Sequence, residues 1–200
     1  MPDAPSGRRD AILRAARLCF LDRGFIRTSI SDVIALSGGS RATVYDEFGS
    51  KEGLFAALIA SILDEMRLPD IADGPPEDVL REVGLAYMAQ LMDPEALALY
   101  RVVLGESAYI RQLGPAIFAA GPRAAATALA ARLQAWQHDG TLVFADPQRA
   151  ATLFLAMVEG DLHRAATLWC ETPSAEEIAG NVDAAVALFL GGARPERRAA

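Results

Sequence analysis

The chain has 200 residues, 52% of them hydrophobic, which suits one large domain or a small domain joined to a larger one. Its formal charge of −7 argues, taken alone, against a polyanionic partner. The apolar run Ala184–Leu190, which no other exceeds in length, is too short to span a bilayer, and the opening MPDAPSGRRD has no apolar core, so neither a membrane segment nor a signal peptide is expected.

Much of the apolar content is alanine and leucine, and alternating β-branched runs are missing, so the chain is expected to be all-α. A first helix is predicted over Arg8–Arg23, with Ile12, Ala16, Cys19 and Phe20 on one face and Arg9, Asp10 and Arg14 off it; Gly24 is its natural C-cap. Ser29–Lys51, SISDVIALSGGSRATVYDEFGSK, then reads as two short helices about a turn at Ser37-Gly38-Gly39. Thr28 or Ser29 caps the first, with Asp32 placed as in a capping box, and Val33, Ile34 and Leu36 make its apolar face. Ser40 caps the second, where Val44 and Phe48 form the inward stripe and Arg41, Thr43 and Tyr45 lie off it. A helix this short cannot bury itself. It packs on its neighbours and offers polar donors to solvent, the layout of a DNA-reading helix-turn-helix.

Charge distribution agrees with that reading better than the total does. Residues 1–55 hold eight basic and seven acidic side chains, and residues 56–200 hold eleven and nineteen. Lys51, the only lysine, stands at a helix N-terminus, where amide dipoles and an ammonium together hold a phosphate. Ser29, at the start of the preceding helix, is a second candidate backbone contact. Arg41 is placed to reach guanine O6/N7, and Ala42 a thymine methyl. Each has a plainer alternative: Ser40 and Thr43 as caps, Tyr45 as packing between helices, Arg41 as a solvated arginine.

Lys51–Met66 reads as a longer helix with Leu54, Phe55, Leu58, Ile59 and Ile62 on one side, and the proline-rich stretch Leu68–Pro76 as a boundary loop. Helices are predicted over Glu77–Met92, with Val79, Val83, Tyr87 and Leu91 at spacing four, and from Pro94 to about Leu113, ended by Gly114-Pro115. A short helix or turn, Ala116–Ala120, is interrupted by Gly121-Pro122. A helix to His138, closed by Asp139-Gly140, is followed by one from Pro147 to near Cys170, one over Ala175–Leu190 and a loose tail, Arg194–Ala200. This gives about nine helices. Glu159, Asp161, His163 and Arg164 share one helix and are expected as rim contacts. Tyr87, Met88, Leu91, Tyr100, Leu104, Tyr109, Phe118, Trp136, Phe154 and Met157 are candidates to line an apolar ligand cavity, with plain core as the default for any one of them. Glu106 and Arg101 are polar groups in this apolar stretch, fit to orient a ligand or to serve as surface charge. Leu153, Met157, Val182, Val186 and Phe189 carry more apolar surface than one bundle face needs, which points to a dimer interface. Cys19 and Cys170 have no metal spacing and are expected as reduced buried thiols in a cytoplasmic protein. No nucleophile elbow, phosphate-binding glycine loop or metal constellation is present, so neither an enzyme nor a cofactor is expected.

Phe20, Gly24-Phe25, Thr28, Val33, the Gly38 turn, Ser40-Arg41-Ala42-Thr43-Val44-Tyr45, Phe48 and Ser50-Lys51-Glu52-Gly53-Leu54-Phe55 together resemble the DNA-binding domain of TetR-family transcriptional regulators over about residues 8–55. The stretch from Ala98 to Ser107, with Leu113, Gly121-Pro122 and Asp139-Gly140, is similar to the ligand domain of the AefR-like branch. The resemblance implies an all-α homodimer whose last two helices pair with those of a second subunit. It also implies backbone contacts by Thr43 and Tyr45, and base reading at the position of Ser31. Two departures stand out. Asp46-Glu47 occupy positions usually neutral, aromatic or histidine, and are expected to discriminate among sites without adding attraction. Gly39 replaces a usual valine, and the larger Ile34, in place of alanine, is expected to fill the space.

The sequence thus predicts a helix-turn-helix domain over 1–55 and an effector-binding and dimerisation bundle over 56–200. The function expected is that of a repressor that leaves a near-palindromic double-stranded operator when a small molecule binds. The alternative is a helical ligand-binding or scaffold protein that has lost specific DNA binding.

Overall fold

A computed structural model of the chain describes residues 5–65, 70–168 and 172–193. The start of the boundary loop, Cys170 and the tail from Arg194 lie outside the described residues. Among the described residues there is no strand, and no helix is long and apolar enough to cross a membrane. The helices are α1 (Pro5–Arg27), α2 (Ile30–Ser37), α3 (Arg41–Phe48), α4 (Lys51–Glu65), α5 (Pro76–Leu91), α6 (Pro94–Gly105), α7 (Gly114–Phe118), α8 (Ala124–His138), α9 (Pro147–Glu159), α10 (Leu162–Thr167) and α11 (Ala175–Ala193). They form two compact units. The first takes in the described residues up to Glu65 together with Pro94–Ala120, and the second the remainder.

In the first unit α1 and α4 enclose a core of Ile12, Ala16, Phe20, Leu54, Phe55, Leu58 and Ile62, all 2% exposed or less. Phe20, Phe25 and Phe55 interlock there, with ring centroids 5.0–5.9 Å apart. Burial of such side chains contributes about 1.5–3 kcal/mol each, which holds α2 and α3, each eight residues and too short to persist alone. Helix α1 does not stop at Gly24. That residue takes φ 82° and ψ 172°, bends the chain, and lets helix resume to Arg27. The interrupted backbone is satisfied locally. The buried Thr28 hydroxyl lies 2.9 Å from the Cys19 carbonyl oxygen and 2.8 Å from that of Gly24. Cys19 is buried, and burial pushes its thiol pKa up.

Helix α6 belongs to this unit, although sequence order places it after the boundary loop. It ends at Gly105, eight residues before Leu113. Tight turns, a single 3-10 turn at Arg111–Leu113 and the short α7 follow. The early stop has a use: Glu106, just past the helix, turns its carboxylate onto the Ile26 N–H of α1.

The second unit is a bundle of α5, α8, α9 and α11 around Leu80, Met88, Leu129, Leu133, Phe154, Val158 and Val182. A wide π turn, Ala119–Arg123, absorbs Pro122, which has no N–H to donate, and leads into α8. Asp146 and Ser174 cap α9 and α11: the Asp146 carboxylate accepts from the Arg149 N–H at 3.1 Å, and Ser174 shares a capping box with Glu177. The long helix predicted from Pro147 divides into α9 and α10. Helix α9 ends at Gly160, which takes φ 53° and donates its N–H to the Ala156 carbonyl, and the Asn181 amide of α11 donates to the Val158 carbonyl at 2.5 Å. His163, expected at a rim, is 3% exposed, and its Nδ1 lies 2.9 Å from Glu159 Oε1.

Candidate nucleic-acid interface

The turn between α2 and α3 is built from caps. At α2, the Asp32 N–H donates to the Ser29 hydroxyl at 3.2 Å, while the Ser29 N–H and hydroxyl donate back to the Asp32 carboxylate at 2.7 and 2.6 Å. The Ser29 hydroxyl, its backbone N–H and the nearby Arg23 hold the Asp32 carboxyl below its ordinary pKa. At α3, Ser40 accepts from the Thr43 N–H at 3.2 Å, and the two hydroxyls lie 3.0 Å apart. Val44, 1% exposed, anchors the helix. The Ser29 and Ser40 hydroxyls thus cap α2 and α3, and Thr43 is brought onto Ser40.

Arg41 and Ser31, two residues proposed from sequence to face DNA, meet across the turn: the Arg41 guanidinium donates to the Ser31 hydroxyl at 2.5 Å. Ala42, Tyr45, Asp46 and Glu47 are exposed, Tyr45 at 48%. Tyr45 is therefore not buried between helices. Lys51 points inward instead of standing free. Its ammonium lies 3.2 Å from the Ile26 carbonyl and 4.4 Å from the centre of the Phe25 ring, and partial burial lowers its pKa.

Gly39 has φ 95°, a conformation that disfavours any side chain. The space beside it is filled not by Ile34 but by the Arg8 guanidinium, whose Cζ would stand 3.1 Å from a Cβ at position 39. Arg9 lies over the Phe48 ring, 5.1 Å from its centre. Two arginines of α1 thus reach the helix-turn-helix. Sequence reasoning had passed over Arg8; its signal was the pairing of an Arg-Arg dipeptide with a glycine where valine is usual.

The candidate ligand residues fall into two sets. Tyr87, Met88, Trp136 and Phe154 are buried in the core of the second unit, with Leu91 and Met157 partly buried against it. Tyr100, Leu104, Tyr109 and Phe118 belong to the first unit and are 41–66% exposed. Of the proposed interface residues, Val182 and Val186 are a correction: at 0% and 4% exposure they face the core of their own bundle. Leu153, at 54%, is on the surface, and Phe189 packs on Phe144 and Phe154. The second unit also holds an open cavity of about 500 Å³ between α5 and α11, lined by Glu77, Arg81, Asp183, Val186 and Leu190 among others. Among the described residues no cluster of histidine, cysteine and acidic side chains is fit to hold a metal ion.

Two family models match this architecture: bacterial regulatory proteins of the tetR family over residues 12–58, and the C-terminal domain of AefR-like transcriptional repressors over residues 78–192. The flavonoid-responsive regulator FrrA has a solved structure 30% identical to this chain, with a TM-score of 0.84 over 96% of this chain and 100% of FrrA. A TetR-family transcriptional regulator from Pseudomonas syringae pv. tomato is 27% identical, with a TM-score of 0.75 over 95% of this chain and 98% of its own. The transcriptional repressor AcnR of Corynebacterium glutamicum is 32% identical over 83 residues, a match spanning 38% of this chain and 44% of AcnR. The second family model alone covers more than half of the sequence, and the chain belongs to the tetR family of bacterial regulatory proteins: it is a DNA-binding transcriptional regulator, not an enzyme.

Proposed function

We propose that the chain is a ligand-responsive repressor that binds a near-palindromic operator as a homodimer in the cytoplasm and leaves it when a small molecule binds within the effector domain, residues 56–200. The observation that carries the DNA-reading half is a short, doubly capped α3 whose outer face is Ala42, Tyr45 and the Arg41–Ser31 pair. Capped and anchored by Val44, this face is preorganised to enter a major groove. Two such helices related by a two-fold axis suit a palindrome.

Release has a route within the first unit. Helix α6 is tied to α1 at both ends: Glu95 pairs with Arg17, which also binds Glu65 of α4 at 2.9 Å, and Glu106 holds the Ile26 N–H at 2.8 Å. An effector that shifts α6 therefore shifts the segment leading into α2. DNA and effector are then antagonists by linkage. The name of FrrA directs the first screen to flavonoids and other planar aromatics. The exposed Tyr100, Leu104, Tyr109 and Phe118 are the first residues to test for ligand contact.

The test is selection of duplexes from a random pool by the purified chain, repeated with effector mixtures. The expected result is one recovered near-palindrome, bound with steep salt dependence and released by a member of the mixture. A specific observation favours the second reading, a ligand-binding protein without operator specificity: Asp46 and Glu47 are exposed on α3. Recovery of no sequence, with ligand binding intact, would establish that reading and remove the first.

A further inference from the structure

The recognition segment has an unusual charge balance for a DNA reader. From Ser40 to Lys51 it carries Arg41 and Lys51 against Asp46 and Glu47, a net charge of zero. The two cations are already engaged, Arg41 with the Ser31 hydroxyl and Lys51 with the Ile26 carbonyl and the Phe25 ring. The two carboxylates are exposed. Affinity for DNA rests largely on neutralising phosphates, so against Asp46 and Glu47 any further positive charge that the first unit brings to α3 strengthens binding.

The N-terminal end of α1 supplies it. Arg8 is half-buried, and its guanidinium lies against Gly39, with Cζ and Nε 3.1 and 3.3 Å from where a Cβ would be. Any side chain at position 39 would displace it. Gly39 directly precedes Ser40 and Arg41, so the group sits where α3 begins. No carboxylate among the described residues pairs with it. The neighbouring Arg9 stacks on Phe48 at the other end of α3. Without these two arginines the eight-to-seven balance of residues 1–55 turns negative.

We propose that Arg8, seated on Gly39, is a phosphate-backbone contact of this chain, and that glycine at position 39 is what admits it to the protein–DNA interface. The guanidinium fork suits two oxygens of one phosphate, and its seat against the turn removes part of the ordering cost of a flexible arm. The contact positions the protein and carries no sequence information. It compensates for the exposed Asp46 and Glu47. The inference rests on the DNA-binding reading above.

The test uses the purified full chain and a labelled duplex of mixed sequence, with binding followed by anisotropy over a salt series. The forms compared are wild type, Arg8→Ala, Arg8→Lys and, as a control for net charge, Arg149→Ala on α9. Thermal melting of each accompanies the titrations. The expected result is a loss of about 1 in the slope of log K against log salt for Arg8→Ala. Arg8→Lys restores most of that slope, and Arg149→Ala keeps it whole. An unchanged slope in Arg8→Ala overturns the inference, including the case where affinity falls only as far as the melting temperature does; Arg8 is then a packing residue of the turn. Absence of duplex binding by wild type overturns the DNA-binding reading and this inference with it, an outcome distinct from the first because no slope exists to compare.

Discussion

Gly24 and Glu106, far apart in sequence, act as one feature. The backbone at Gly24 adopts a conformation essentially closed to other residues, and a Cβ there would run into Glu106 Oε1 while that carboxylate holds the Ile26 N–H. Gly24→Ala therefore carries backbone strain of roughly 1–3 kcal/mol plus loss of the Glu106 contact. Glu106→Ala removes the hydrogen bond, about 1–2 kcal/mol, and the carboxylate's attraction for Lys51, with no backbone strain. The two costs are not independent: urea unfolding of the singles and the double will show Gly24→Ala less costly in the Glu106→Ala background, and strict additivity would refute the coupling. Asp32 gives a prediction in pH. Its carboxyl pKa is lowered chiefly by the Ser29 hydroxyl, so the capping box stabilises the fold above the ordinary carboxylate pKa and is lost as pH falls through the lowered one. The stability gap between wild type and Asp32→Ala should be present at neutral pH and close on acidification. A gap independent of pH would show that the box works without the charge.

At the scale of elements, the start signals were legible because each lies within a few residues of the helix it caps. Ser29 with Asp32, Ser40, and Asp146 with Pro147 are local chemistry, and the helices begin where that chemistry places them. Stops were harder to read. Glycines stand at the ends of α6 and α9, but the contacts that follow, Glu106 to the Ile26 N–H and Asn181 to the Val158 carbonyl 23 positions back, are with distant residues. Such contacts are tertiary and leave no periodic signal. The filling of Gly39 was missed for the same reason, since Arg8 is on another helix. Asn181 offers a direct check. Its amide donates to the Val158 carbonyl and approaches that of Met157 at 3.4 Å, which fixes α9 against α11. Asn181→Ala leaves those carbonyls unpaired in a half-buried setting and is expected to cost about 1–2 kcal/mol in urea unfolding. Amide exchange should quicken first in the last turn of α9. Unchanged exchange there would mean that Gly160 alone ends the helix.

For the whole molecule, the sequence pattern identified an all-α chain with a DNA-reading end, yet gave no sign that α6 joins the first unit. The pairings that place it there, Arg17 with Glu95 and Ile26 with Glu106, span 78 and 80 residues. The apolar excess of the last helices was visible too, but not which residues carry it. Val182 and Val186 sit in the bundle core, whereas Leu188 of α11 is 71% exposed and Leu153 of α9 is 54% exposed. Isolated surface leucines need no special explanation, but these two stand on the helices whose counterparts pair subunits in the resemblance stated above. If that pairing holds here, Leu188→Glu and Leu153→Glu place charges in the seam. Each should shift the chain toward monomer in sedimentation at fixed concentration, the double variant most. Affinity for a full operator should fall with it, because a monomer engages one half-site. Val186→Ala should act otherwise: it leaves a core void worth roughly 2 kcal/mol of stability and keeps the oligomeric state of wild type. A double leucine variant that sediments as wild type would move the interface off this face, and a monomeric Val186→Ala would mean that association depends on the bundle core and not on its exposed leucines.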